Sequence, residues 1–191
     1  PVVRVENSDL LRRYVGQVAN GLPQDDVLLL GTDQRQLLLL ATHFHGQGGT
    51  RLLAPIGELA EPRSHVRAAA AYPGKWPAPE GADNSQKVSA AAVMQFLSGM
   101  QTGFPLWSVD PLYGELLLES AVATPRGQVY ELQPLTVEPA ATADGLTAEI
   151  DTIKALVEQL RGDIATGART ATAVAGLYSG WVNTLGVRLQ I

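Results

Sequence analysis

Three histidines are the side chains best suited to catalysis or metal binding in this chain of 191 residues, which contains no cysteine. His43 and His45 flank one residue, and on a strand both rings would face the same side, as a metal site requires. A third ligand would come from His65 or an acidic residue. One alternative function is therefore a small metal-dependent hydrolase or lyase that uses His43 and His45. We nevertheless expect surface histidines, no metal, no cofactor and no enzymatic activity.

Other motifs that resemble catalytic or binding signatures lack a defining feature. Residues 46–50 (Gly-Gln-Gly-Gly-Thr) have neither the GxGxxG spacing nor the GK[ST] ending of phosphate loops. Residues 176–180 place a serine one position too late for GxSxG. We expect no basic or metal partner for the acidic pairs Asp25-Asp26 and Glu58/Glu61. The pairs therefore indicate a solvated turn and a helix or loop surface.

The composition favours a folded chain that buries surface in an assembly. Hydrophobic residues make up 46 % and charged residues 17 %, enough to fill a core and few to cover a large free surface. The net charge of −5, with scattered basic residues, predicts no nucleic-acid partner. The sequence starts without a basic, then apolar segment, so no secretory signal is recognised and a virion or cytoplasmic location is expected. Residues 170–187 lack charge but contain polar residues, so no membrane span is expected.

The N-terminal part predicts one helix followed by a hairpin. Asn7 or Ser8 can cap a helix whose apolar side chains share one face, and Gly21 can end it. The short apolar runs 27–30 and 37–40 favour two buried strands around a polar turn. Further on, residues 52–59 are expected to form another short strand.

Two aromatic residues lie in a proline-rich loop after these strands. Tyr72 and Trp76 stand among three prolines, which exclude a helix or central strand there. We expect both side chains to contact a partner, because aromatic residues are common interface anchors. An alternative function is accordingly a small ligand- or protein-binding module that uses them. A second helix is expected after Asn84 or Ser85, with Val88, Ala91, Ala92 and Phe96 facing inwards.

The rest of the chain predicts a β-rich section, a linker and a helix. Residues 104–137 contain apolar runs at 116–118 and 129–137 around a turn at 124–127. Small residues follow, so the expected domains are a β-rich α+β domain at 1–138, a linker at 139–145 and a helical oligomerisation segment at 146–191. The expected fold class is α+β, with two short helices, a long C-terminal amphipathic coiled-coil-like helix and a short terminal strand.

The C-terminal helix has apolar residues at alternating spacings of four and three. A mean spacing of 3.5 is typical of a coiled-coil seam, and this pattern predicts a homo-oligomer, with a trimer favoured. An alternative is an ordinary amphipathic helix on its own domain, and a break near Gly162–Gly167 would give a helical hairpin. Val187, Leu189 and Ile191 alternate with polar residues as in a closing strand. The predicted oligomer interface consists of Leu146, Ile150, Ile153, Val157, Leu160 and Ile164.

The segment Gly-Leu-Thr-Ala-Glu-Ile-Asp-Thr-Ile-Lys-Ala-Leu-Val-Glu-Gln-Leu at 145–160 resembles the short helices of tailed-phage virion proteins such as fibres, decoration proteins and adaptors. The resemblance covers about a tenth of the chain. It implies a non-enzymatic structural component, such as a capsid, fibre or tail accessory protein, that binds itself and other structural proteins of an assembly.

Overall fold

The structure is a computed structural model that describes residues 2–24, 26–45, 50–77, 87–110, 121–134, 143–165 and 171–188. The described strands form one mixed sheet in the order β2-β1-β3-β5-β4. β1 is parallel to β2 and β3, whereas β5 is antiparallel to β3 and β4. The strands are β1 (Val27–Gly31), β2 (Arg51–Pro55), β3 (Leu106–Ser108), β4 (Ala121–Arg126) and β5 (Val129–Pro134).

Helices cover both faces of the sheet. Alternate residues of β1 point to opposite faces, so Leu29 packs with α1, α2, α5 and α6, whereas Leu28 and Leu30 pack in a second cluster with α4 and α3. The unbroken apolar sequence of β1 is explained by this burial on both sides. The described helices are α1 (Val2–Gly21), α2 (Gln34–Phe44), α3 (Pro62–Ala71), α4 (Ala90–Met100), α5 (Ala143–Ala165) and α6 (Ala171–Arg188).

The predicted first and second helices exist with different starts. α1 begins at Val2, so Asn7 and Ser8 lie inside it, and Leu10, Tyr14 and Val18 form part of its buried face. α4 is capped by the Ser89 hydroxyl, which accepts a hydrogen bond from Ala92 N–H. The caps predicted at Asn84 and Ser85 lie outside the described residues.

The predicted strand at 37–40 is wrong, because this run belongs to helix α2. The Asp33 carboxylate accepts a hydrogen bond from Arg35 N–H and caps the helix. Leu37, Leu40 and Phe44 are buried at helical spacing. β1 and β2 are consequently parallel strands joined through α2, instead of a hairpin.

The hairpin predicted in the β-rich section is present as β4 and β5. The two strands are antiparallel and joined by Gly127-Gln128, where Gly127 has a φ of 67°. A positive φ is readily adopted by glycine, which explains the tight connection. The apolar run 116–118 lies outside the described residues.

The predicted long coiled-coil-like C-terminal helix is wrong. Two helices are described in its place, α5 and α6, which pack on each other, and α6 also contacts α1. Ile153, Leu156 and Leu160 are buried in the same cluster as α1 and β1. Val187 lies in α6 instead of a terminal strand, and residues 189–191 are outside the described part.

The junction of α1, α5 and α6 is closely packed. A cavity of only about 10 Å³ lies between Leu10, Leu160, Val174 and Tyr178, which is at most the size that holds one water molecule. Residues from both sides of the predicted linker thus contribute to one core cluster. Among the described helices, none has both the length and the apolar character that a membrane span needs.

Candidate functional site

A cavity of about 220 Å³ lies beside helix α3 and β2, which is one of the two edge strands of the described sheet. Its apolar walls include Leu53, Ala54, Pro55, Leu59, Ala68 and Trp76. Pockets for whole drug-sized ligands usually measure about 300–1,000 Å³, whereas an apolar cavity of about 150 Å³ binds benzene. The size therefore suits a single aromatic ring or branched aliphatic group.

Helix α3 and the following turn bring the aromatic wall into place. Pro62 occupies the first turn of α3, where its missing N–H costs nothing. After the helix ends, Lys75 N–H and Trp76 N–H donate to the Tyr72 carbonyl, and Gly74 has a φ of 72°. This turn directs Trp76 back into the core, where its ring centroid lies 5.1 Å from that of Phe96.

His65 is a structural member of this wall. Its side chain is 1 % exposed, and Trp76 Nε1–H donates to His65 Nδ1 at 3.2 Å. Because an indole nitrogen can only donate, Nε2 must carry the proton of the neutral ring and donate to the Leu59 carbonyl at 2.7 Å. Both ring nitrogens are occupied, so His65 is neither a free base nor an available metal ligand in this arrangement.

Polar side chains surround the mouth of the cavity. The Glu58 carboxylate accepts hydrogen bonds from the Ser64 hydroxyl and the Arg67 guanidinium, both at 3.1 Å. Arg67 also donates to Ser64 Oγ at 2.9 Å. Ser64 therefore donates to a carboxylate and accepts from a guanidinium. The mouth offers hydrogen-bonding groups around an apolar interior.

The outer edge of β2 borders the same cavity. Val27 N–H donates to the Thr50 carbonyl, and the parallel register places Leu29 opposite Leu53. In such a ladder, Leu29 bonds to β2 while the N–H and C=O of Leu53 point away from β1. The Tyr72 hydroxyl accepts from Leu53 N–H at 3.4 Å, which is longer than the usual 2.7–3.2 Å or so. Among the described residues, the outward Leu53 N–H is thus only weakly hydrogen-bonded.

The turn after α3 is fastened to the other end of β2. Lys75 Nζ lies 3.3 Å from an Asp26 carboxylate oxygen and also bonds to the Thr50 hydroxyl. Thr50 N–H donates to Asp26 Oδ1 at 2.5 Å. This hydrogen bond, assisted by Lys75, lowers the pKa of Asp26 below its ordinary value. The contacts hold Tyr72 and Trp76 against the edge strand.

The histidines predicted as a metal pair are not brought together. His43 lies half-buried in the last turn of α2, with its ring 5.7 Å from that of Phe44, and His45 is exposed at the helix end. On a helix, positions two apart face different sides, unlike on the strand that was expected. Within the described ranges, no group of three or more His, Cys, Asp or Glu side chains could hold a metal ion. Residues 46–49 of the glycine-rich loop lie outside them.

The two predicted partner contacts both line the cavity. Trp76 is 6 % exposed and Tyr72 is half-buried, with their rings stacked at a centroid distance of 6.5 Å. Trp76 therefore belongs to the core of its own domain. Tyr72 remains accessible at the rim and carries the hydroxyl that covers the edge strand.

The predicted oligomer interface is divided between core and surface. Ile153 and Leu160 are 7 % and 8 % exposed, whereas Ile164 is 49 % exposed. Ile150 and Val157 are half-buried against the core. The side chain of Leu146 lies outside the described part. The buried positions belong to the same core cluster as side chains of α1 and the sheet.

The carboxyl ends of β1 and β3 form a second polar location. Thr32 follows β1 and Asp110 follows β3 at this edge of the sheet, and the carboxyl ends of parallel strands are a common ligand-binding position in α/β sheets. The Asp110 carboxylate accepts from both Thr32 N–H and the Thr32 hydroxyl, at 2.6 and 2.7 Å. Asp33 caps α2 beside it. The negative charges of Asp110 and Asp33 would repel a phosphate at this location. The N–H and hydroxyl of Thr32 and the N–H of Arg35 already donate to these two carboxylates.

A larger space of about 470 Å³ lies between the end of α1, the β4–β5 turn and α5. It is an open groove lined by polar residues, including Asn20, Gln128 and Thr152. A concave site with mainly apolar and aromatic walls and a few polar groups is the more typical binding site. We therefore regard the smaller cavity beside β2 as the candidate site.

No family model, curated protein or solved structure matched the chain. We therefore infer a function from the shape and the lining residues of the cavity. Sequence reasoning named Tyr72 and Trp76 but missed Ser64 and Arg67, because helix α3 was not predicted. The available signal was Pro62, a typical first-turn residue, followed by four alanines that favour a helix.

Proposed function

We propose that this protein is a non-catalytic binding module that accepts one aromatic or branched apolar group in the cavity between β2 and α3. The supporting observation is a half-open cavity of about 220 Å³ with mainly apolar walls and polar groups at its mouth. Burial of an aromatic ring there removes apolar surface from water, which is the main favourable contribution to such binding. The partners of Ser64 and His65 account for these side chains without catalysis.

Titration with indole tests this proposal. We expect a saturable chemical-shift change of the Trp76 indole N–H resonance, with a dissociation constant on the order of 1 mM, or about −4 kcal/mol. Toluene should compete for the same volume. An unchanged Trp76 resonance up to about 10 mM of either compound would contradict the proposal.

Two leucine substitutions on helices provide a matched comparison. Ala68 lines the cavity, so the larger side chain of Ala68→Leu should fill it and weaken indole binding by about tenfold or more. Ala91 is exposed on α4, so Ala91→Leu should leave the affinity unchanged. If Ala68→Leu folds poorly, Ala71→Leu replaces it as the blocking variant, because Ala71 lines the cavity at an exposed position of the rim. Equal binding by all variants would place the indole elsewhere.

A second candidate is self-association as a structural component of a larger assembly. The described surface exposes the large apolar side chains Leu38, Val66, Ile164 and Val182, and such groups favour association when they are clustered. A trimeric state and membership in a phage virion stay predictions. Light scattering on the full chain and on Ile164→Asp tests the oligomer, which the substitution should dissociate. A monomeric parent chain would contradict this candidate.

A further inference from the structure

We propose that the group entering the cavity is a side chain of an extended segment from another protein, which adds as a strand to the edge of β2 that pairs with no described strand. This inference rests on the proposed function, because the cavity supplies the place for the anchoring side chain. It adds the class of partner and the main-chain contacts through which the partner is held.

The edge strand and the cavity are adjacent in the fold. Among the described strands, β2 is the last at this side of the sheet, and Leu53 directs its N–H and C=O away from β1. The cavity is lined by Leu53, Ala54 and Pro55 of the same strand and by α3 on its other side. An extended chain can therefore pair with Leu53 and place one side chain between β2 and α3. Strand addition uses this combination of main-chain hydrogen bonds and a side-chain pocket.

The existing protection of the edge is suited to replacement. The Tyr72 hydroxyl accepts from Leu53 N–H at the long distance of 3.4 Å. A peptide carbonyl at ordinary distance would make a better hydrogen bond with the same N–H. Pro55 has no N–H, so pairing must end there. The available edge is consequently short and centred on Leu53, which fits a brief peptide segment better than a long sheet extension.

The size of the cavity selects the anchoring side chain. About 220 Å³ accepts a ring, given that about 150 Å³ holds benzene. The interior is apolar, and both nitrogens of His65 are already bonded. Charged side chains would lose their hydration without a partner at depth. The expected anchor is phenylalanine, tryptophan or leucine, with polar flanking residues near Glu58, Ser64 and Arg67.

Capped heptapeptides Thr-Thr-Gln-X-Gln-Thr-Thr, with X as Phe, Trp, Leu or Ala, test the inference in the full chain. We expect Phe, Trp or Leu to shift the Leu53 amide resonance saturably, whereas the Ala peptide should bind at least tenfold or so more weakly. N-methylation is then placed either at X or at the residue before X. One of these amides faces β2 and the other faces away, so one methyl group should abolish binding and the other preserve it.

Replacement of Tyr72 by phenylalanine tests the edge directly. Tyr72→Phe removes the hydroxyl that covers Leu53 N–H, so the ratio of peptide affinity to indole affinity should rise roughly three- to tenfold.

Equal binding of both N-methylated peptides would overturn strand addition, and so would indole binding without binding of any heptapeptide. A shift of the Leu53 amide with protein concentration alone would assign the edge to a second copy. Failure of indole to bind would instead contradict the proposed function itself.

Discussion

Replacement of Leu160 by alanine should destabilise the single chain and leave its association unchanged. Leu160 is 8 % exposed and packs with Leu10, Val174 and Tyr178 around a space of only about 10 Å³. Removal of a buried leucine side chain costs about 2–5 kcal/mol, depending on how far the surroundings relax. We expect about 3 kcal/mol, because three different helices enclose the site and restrict collapse.

Two variants on the same helix complete this prediction. Ile153→Ala should cost a similar amount because Ile153 is 7 % exposed, whereas Ile164→Ala should cost at most about 1 kcal/mol at a position that is 49 % exposed. Urea unfolding followed by circular dichroism measures the three values. The midpoints should not change across roughly a hundredfold range of protein concentration. A larger loss at Ile164 than at Leu160, or a concentration dependence of the midpoint that Leu160→Ala abolishes, would refute packing of α5 within its own chain.

Three further changes test the account of the core. Gly16→Ala should stabilise the fold by about 0.5–1 kcal/mol, because a Cβ at this helical position meets open space. Gly21→Ala should instead cost about 1–3 kcal/mol, because its Cβ would lie 2.8 Å from the Arg126 carbonyl oxygen. Thermal melts of the two variants should therefore shift in opposite directions. His65→Phe should cost at least about 2 kcal/mol in urea unfolding, because two buried groups lose their partners; an unchanged midpoint would contradict the assigned hydrogen bonds. Burial raises the pKa of Tyr178 to about 12. Its contribution to stability is therefore complete below pH 10 or so and lost as the pH rises towards 12, and Tyr178→Phe should reduce this loss.

Local sequence signals identified α1 and the β4–β5 hairpin but not α2. A run of four leucines satisfies both a buried strand and a buried helical segment, so periodicity alone does not separate them. The cap at Asp33 was the deciding signal, since its carboxylate accepts from Arg35 N–H. As a helix, α2 supplies the crossover that parallel strands such as β1 and β2 require, whereas the predicted hairpin would have made them antiparallel.

The apolar repeat over 146–164 is too short to distinguish a coiled-coil helix from an ordinary amphipathic helix. A straight helix with 3.6 residues per turn drifts only about 20° per heptad from a 3.5-residue repeat. Over 146–164 the two alternatives place nearly the same residues on one face. The buried Leu156 widens that face, as in packing against a body of the same chain. The distinction depends on tertiary contacts with α1 and β1, which the sequence does not encode locally.

The candidate site was only partly accessible to sequence reasoning. The sequence singled out Tyr72 and Trp76 because large aromatic side chains in a proline-rich loop are expected to pack against another surface. Their position on a cavity depends on the turn after α3 and on the hydrogen bond between Trp76 and His65. His65 had been considered only as a metal ligand, whereas burial and two hydrogen bonds make it part of the wall.

Intermolecular nuclear Overhauser effects between indole and methyl-labelled protein test the central claim most directly. We predict contacts from the indole ring to the methyl groups of Ala54 and Ala68, which line the cavity beside β2. Val182 and Ile164 are exposed apolar positions elsewhere and should show none. Contacts confined to those exposed methyl groups, or saturable binding without contacts to Ala54 and Ala68, would contradict the claim that the cavity between β2 and α3 is the binding site.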